Sequence, residues 1–291
     1  MATTAAEIDR GDLDKVLKGF TIPAQPQVLI DVRQEQMSSD PSLGEVARIV
    51  SSDVGLAGAV LKTINSPYFG MRREIKSINQ AVMLLGLDNV ANLVTGYAMR
   101  SSMVGKSSIS LERFWDSASD MSNISAAIAR NLKLSITPDE TYMVGLFIDC
   151  GIPVLACKFD DYKSVLIEGN SSPDEEITDI EERHYNTNHA TIGYYTSRAW
   201  GLAQPVREAI LEHHNLASLF KESNDSGIIH RDTLIAVQKM AENISHTYRR
   251  LSAHLEWDRD GTVVLDYLGL DEIEYQELKE DIHEMLRDSA I

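Results

Sequence analysis

Three places in the sequence gather side chains that can ligate a metal or move a proton. The first is Asp149, in Phe147-Ile-Asp149-Cys-Gly151 at the end of an apolar stretch made by Tyr142, Met143, Val144, Leu146 and Phe147. A carboxylate in such surroundings must be paired, hydrogen-bonded or metal-bound if it is buried. The second is His184 with His189, around a helix start, and the third is Glu212-His213-His214, closing a helix that begins after Pro205. Hard divalent ions favour carboxylates, and imidazole adds affinity for iron, zinc or manganese. Asp149, His189, His213 and His214 therefore form a candidate ligand set, of the kind a helical protein gathers from several helices facing one cavity. On residue types alone the favoured reading is the plainer one, with Asp149 capping or hydrogen-bonding a neighbouring helix and the histidines as surface or satisfied core groups.

The elements that must position these residues read as helices. Ser42-Leu-Gly-Glu45 is a capping box ahead of Val46, Ile49 and Val50, which are spaced by three and four. Asp53 caps a helix with Leu56, Val60, Leu61 and Ile64 on one face. Ser77-Ile-Asn-Gln80 opens another, which Gly86 is expected to close. Thr137-Pro138-Asp-Glu140 combines a cap, a proline in the first turn and a reciprocal Glu, and Ser172-Pro173-Asp-Glu175 repeats that design. Asp271-Glu-Ile-Glu274 starts a last helix. The one weak strand candidate is Asp260 to Leu265, so the expected fold class is all-α.

Charge and composition narrow the partners. The 291 residues carry a formal net charge of −17 with 43% hydrophobic and 24% charged positions, ordinary for a globular chain. Such acidity speaks against nucleic acid and anionic membrane surfaces as partners, because both draw on clustered Lys and Arg. Twelve acidic and three basic residues fall between Glu256 and Asp288, which reads as a solvated face. Cys150 and Cys157 are too few to staple the chain and are expected as buried thiols of a reducing compartment. The N-terminus lacks a signal-peptide pattern, and the longest apolar runs are about seven residues against the roughly 18 a bilayer demands, so a cytoplasmic protein is expected.

Residues 1–21 read as a lead-in helix and turn. Pro23 and Pro26 break the chain before a helix near Gln27, and Gly105 to Ser110 is a small polar linker. The expected organisation is a domain over 22–218, with halves at 22–105 and 112–218, followed by an acidic helical extension over 228–291.

The stretch from Ser52 through Asn65-Ser66-Pro67-Tyr68-Phe69-Gly70 resembles the signature of the HDOD (HD-related output domain) family. So do Ile75 to Val90, Phe114-Trp115, Gly145-Leu-Phe-Ile-Asp149-Cys-Gly151, Asn188-His189-Ala190 and Trp200-Gly201-Leu with Pro205 and His213-His214. The resemblance implies an all-α domain related to HD metal phosphohydrolases, used in bacterial signal transduction and generally non-enzymatic. HD enzymes place one imidazole on an early helix and a His-Asp doublet on a later one. Here Ser117 stands at the first position and Ile148 replaces the doublet's His, leaving Asp149. Serine is a poor ligand and isoleucine is none.

These readings converge on a signalling module that is not an enzyme, uses no cofactor, and works through a protein partner or a small-molecule ligand. Asn65, Ser66, Tyr68, Phe69, Gln80, Trp115 and Ser117 are the candidate lining of its binding cleft, although the Asn65–Gly70 turn is better read as a joint locking two helices. The alternative is a residual metal-dependent phosphohydrolase acting on nucleotides or cyclic dinucleotides through Asp149 and the three histidines. A non-catalytic cyclic-dinucleotide receptor has only the basic pairs Arg72-Arg73 and Arg249-Arg250 behind it.

Overall fold

The computed structural model describes residues 19–66, 69, 71, 73–172, 175–216, 219–220, 225–250 and 254–289. Most of the expected lead-in over 1–21 lies outside them. Among the described residues the regular elements are all α-helices, with no strand. The chain divides into two compact units, one centred on Pro23–Val104 and the other on Gly105–Glu284.

The Pro23–Val104 unit holds α1 (Gln27–Gln36), α2 (Leu43–Ser51), α3 (Val54–Ile64) and α4 (Ile78–Ser102). α2, α3 and α4 start where the capping residues stand, and α1 follows Pro26 without a side-chain cap. Ser42 Oγ accepts from the Glu45 amide at 3.3 Å and Asp53 Oδ1 from the Leu56 amide at 2.9 Å. Ser77 Oγ accepts from the Gln80 amide at 3.3 Å, and Gln80 reaches back to accept from the Lys76 amide at 3.2 Å. α4 packs against α1, α2 and α3 around Leu29, Val50, Leu56, Val60, Ile64, Val82, Val90 and Val94, all 1% exposed or less. Gly86 ends the first segment of this stretch, as its residue type suggested: at φ 80° and ψ 174° it leaves helical geometry, and a second helical segment follows across the kink. Beyond the glycine, Val90, Ala91, Val94 and Ala98 continue the buried face. Asn65 closes the segment after α3 by donating to the Ile75 carbonyl at 2.8 Å and accepting from the Ile75 amide at 2.7 Å.

The second unit begins with α5 (Leu111–Leu132), α6 (Pro138–Phe147), α7 (Gly151–Lys158), α8 (Tyr162–Ser171) and α9 (Ile177–Tyr185). It continues with α10 (His189–Ala199), α11 (Gln204–Glu212), α12 (Ser226–Arg250), α13 (Leu255–Leu268) and α14 (Glu272–Ser289), whose last turn extends past Glu284. α5 and α6 approach closely because their contact is made of small residues. A Cβ on Gly145 would stand 2.6 Å from the Ser122 Cα. The Thr137 capping box forms with both bonds, and so does the Asp271–Glu274 pair. The Ser172 box has its Pro173 and Asp174 outside the described residues, and the helix after it begins at Ile177. The strand candidate Asp260–Leu265 lies inside α13. Val264 and Leu265 are buried while Val263 is 50% exposed, a helical face and not an alternation.

α12 is central, touching α5, α6, α11 and α13. α14 is anchored to it by Tyr275 Oη donating to Asn243 Oδ1 at 2.5 Å and by His283 Nε2 against the Ile244 carbonyl at 3.0 Å. Two helical stretches, Ile78–Ser102 and Pro138–Lys158, are long and apolar enough to cross a membrane, contrary to the reading from uninterrupted apolar runs. The windows are 50% and 78% buried within the protein, and helical spacing gathers apolar residues that are not consecutive in sequence. Of the two thiols only Cys150 is buried; Cys157, expected to be so, is exposed.

Candidate metal centre

The centre forms in the second unit where α6, α7, α9, α10 and α11 meet. Asp149 sits in the turn between α6 and α7, and His189 is the first residue of α10, held there by the Asn188 cap on the Thr191 amide at 2.8 Å. His213 and His214 follow the last residue of α11. Two glycines let these elements approach. A Cβ on Gly151 would fall 2.0 Å from the His189 carbonyl oxygen, and one on Gly193 would fall 2.9 Å from Ile210 Cγ2. Only glycine at 151 allows α7 to lie on the start of α10, which sets Asp149 beside His189.

All four sequence-predicted ligands come together. The Nε2 of His189 lies 3.4 Å from that of His213 and 3.0 Å from that of His214. Asp149 Oδ1 is 3.6 Å from His189 Nε2 and 3.5 Å from His213 Nε2. The four donor atoms lie within 4.8 Å of one another. Donors around one ion at about 2.1 Å in tetrahedral array stand about 3.4 Å apart, so the set fits a transition metal.

The outer nitrogens decide the protonation of the inner ones. His213 Nδ1 is 2.7 Å from the Ile210 carbonyl, which can only accept, so this nitrogen carries the hydrogen. His189 Nδ1 donates to Glu181 Oε2 at 2.7 Å, and the His189 amide donates to the same oxygen at 2.8 Å. His214 Nδ1 faces Glu256 Oε1 at 3.4 Å and Glu176 Oε2 at 4.0 Å. In neutral rings so oriented, three Nε2 lone pairs and a carboxylate oxygen converge with no proton between them. Such a cluster calls for a cation, and imidazoles held from outside by carboxylate or carbonyl are how metal sites fix their ligands.

Electrostatics favour the neutral ring at His213 and His214 and the charged one at His189. Burial pushes His214 down to about 3, helped by the neighbouring His213 and Lys239. Burial likewise lowers His213. Burial opposes charge on His189 too, but Glu181 and Asp149 outweigh it and raise its pKa. Burial alone would raise Asp149, yet the three imidazoles hold it well below the usual carboxylate range.

Sequence reasoning missed the supporting residues. Glu181, fully buried, also accepts from the Tyr162 hydroxyl, so Tyr162, Glu181 and His189 form a chain leading to the centre. Lys239, 3% exposed, contacts Glu256 Oε1 at 2.6 Å and Glu242 Oε2 at 3.1 Å. A signal for Lys239 and Glu242 existed: with Ile235 they share a three-and-four spacing, on a helix face that is otherwise core.

A cavity of about 340 Å³ opens on the cluster, its wall including Asp149, His189, His214, Glu176, Glu242 and Glu256. Ser117 also lines it, its hydroxyl accepting from Arg249 Nη1 at 3.3 Å. Ile148 is buried at 1% exposed. Trp115 is buried in the same unit, with Phe114 edge-on at 5.1 Å, and does not line the cavity. Asn65, Ser66, Phe69 and Gln80 stand in the Pro23–Val104 unit, where Asn65 and Gln80 hold backbone groups. Tyr68 lies outside the described residues, as do Arg72 and the side chain of Arg250.

The HDOD domain model matches residues 22–216, and the chain belongs to that family. It is similar in fold to an HDOD domain protein of unknown function from Geobacter sulfurreducens, 21% identical, TM-score 0.68, covering 95% of this chain and 94% of that one. A candidate phosphohydrolase from Shewanella amazonensis is 18% identical with TM-score 0.66, covering 94% of this chain and 93% of that one. A candidate signal transduction protein from Marinobacter aquaeolei is 20% identical with TM-score 0.63, covering 96% and 62%. An uncharacterized protein of Treponema pallidum (strain Nichols) is 26% identical over 196 residues, which are 67% of this chain and 38% of that protein. Lys239, Glu242 and Glu256 all lie beyond the matched family segment.

Proposed function

We propose that this chain is a non-enzymatic signal-transduction module whose second unit holds one divalent transition metal as a fixed centre, with output passed to a protein partner. The observation that carries this reading is the contrast between a donor set complete for one ion and the fate of the two positions where HD enzymes carry further imidazoles. At the first, the Ser117 hydroxyl is taken by Arg249; at the second, Ile148 is packed into the core. Asp149, His189, His213 and His214 would hold the ion. A bound ion would supply Lewis acidity, but this chain offers little to receive a phosphate ester beside it. The cavity wall carries Asp149, Glu175, Glu176, Glu242 and Glu256 against Arg249 and Arg259. Both guanidiniums are engaged, Arg249 by Asp120 and Arg259 by Glu176 and Asp260. A polyanionic substrate would meet a surface of its own sign.

Elemental analysis after mild purification, paired with hydrolysis assays on phosphomonoesters and cyclic nucleotides, tests the proposal. The expected result is about one equivalent of transition metal per chain, and no turnover above that of Asp149→Ala. Turnover that disappears in Asp149→Ala would establish the second reading, a metal-dependent phosphohydrolase. A lysate partner captured by both wild type and Asp149→Ala would place the output surface away from the centre.

A further inference from the structure

The structure points to a role for a residue outside the ligand set and outside the matched family segment. We propose that the Lys239 ammonium serves as a built-in second cation beside the imidazole–aspartate cluster, so that the centre takes one metal ion and not two. The inference rests on the reading of that cluster as a metal centre.

Lys239 lies on α12 among the buried apolar residues Ile235, Val237 and Met240. Burying an ammonium there costs several kcal/mol unless carboxylates surround it, and a methionine would fill the same space without that cost. Its carboxylates are not incidental. Glu256 Oε1, 2.6 Å from the ammonium, is the same oxygen that faces His214 Nδ1 at 3.4 Å, while His214 Nε2 points into the cluster. The ammonium is therefore one carboxylate and one imidazole away from the metal donors. Glu176 and Glu256, whose oxygens lie 4.0 and 3.4 Å from His214 Nδ1, could offer carboxylates to a second divalent ion beside the first. Two protein cations neutralise these carboxylates: Arg259 on Glu176 and Lys239 on Glu256. Glu242, the other partner of Lys239, lines the same cavity as Asp149. Without the ammonium, Glu242 and Glu256 would be two buried carboxylates facing a metal centre, which is the setting a hard ion such as Mn²⁺ occupies.

The full chain is equilibrated with excess Mn²⁺, and bound manganese is counted for wild type, Lys239→Arg and Lys239→Met. Wild type and Lys239→Arg are expected to take about one ion per chain and Lys239→Met about two, with an exchange-coupled electron paramagnetic resonance spectrum only in the last. One ion in wild type and in a folded Lys239→Met overturns this inference alone, as do two ions in wild type. No ion in either removes the underlying metal reading with it. If Lys239→Met does not fold unaided, its thermal stability is followed through a Mn²⁺ titration. A rise continuing past the first equivalent, absent in wild type, is expected; a rise that stops at the first equivalent, or none, overturns the inference.

Discussion

The two units have opposite interiors. Among the described residues, the buried polar or charged side chains of the Pro23–Val104 unit reduce to Thr95, which donates to the Ala91 carbonyl at 2.7 Å. The Gly105–Glu284 unit buries Glu181, His189, Glu212, His213, Asp232, Gln238, Lys239 and Asn243. All eight histidines of the chain fall in it. One unit is held by transfer of apolar surface from water, the other by that and by ionic groups which are stable only while each has its partner. The contrast shows where this fold tolerates change: the dry unit responds to lost volume, the ionic one to lost partners.

The largest effect is expected where a partner is removed from the ionic interior. Glu181→Ala leaves His189 and Tyr162 buried without their acceptor and should cost about 3–5 kcal/mol in urea unfolding. A loss under about 1 kcal/mol would mean that the second unit does not depend on its pairs as described. In the dry unit, Leu56→Ala opens a cavity at a fully buried position and should cost about 3 kcal/mol, by the same amount with or without metal. Metal sharpens the distinction further. Zn²⁺ at about 100 times its Kd should stabilise the second unit by about 2.7 kcal/mol, and Asp149→Ala should abolish the gain.

Proton binding separates the units again. Burial, with His246 and Lys239, lowers His254 to about 4. The unfolded chain, with an ordinary imidazole value near 6.5, therefore takes up this proton first as pH falls. The stabilisation is complete above about pH 6.5 and is lost toward pH 4, on the order of 2 kcal/mol, and His254→Asn should flatten that part of the stability profile. The Pro23–Val104 unit contains no histidine and contributes no such slope. The smallest change is expected at a helix cap of the dry unit. Asp53→Ala removes the acceptor for the Leu56 amide and should cost about 1 kcal/mol, independent of metal and of pH between 6 and 8.

The parts of this molecule that were legible in sequence are those set by local chemistry. Ser42, Asp53, Ser77, Thr137 and Asp271 announced helix starts because a cap is satisfied within four residues of itself. Gly86 marked a true helix stop, while the second segment that follows it had no such local signal and shows only in the buried face it packs. The candidate ligands Asp149, His189, His213 and His214 were nameable by type, while the geometry of their convergence was not, since it depends on helices meeting at Gly151 and Gly193. Glu181 was invisible for the same reason. It is an ordinary acidic residue in a charged stretch until α9 turns it toward His189.

The spread of the centre along the chain also has a consequence in time. Asp149 and Glu256 are more than a hundred residues apart, and the wall around His214 is complete only once α12 and α13 have docked. Closing so long a loop is slow compared with forming the helices themselves. The outer wall of the cavity is therefore expected late in folding, and an ion held as proposed by Asp149, His189, His213 and His214 would be enclosed only at that stage.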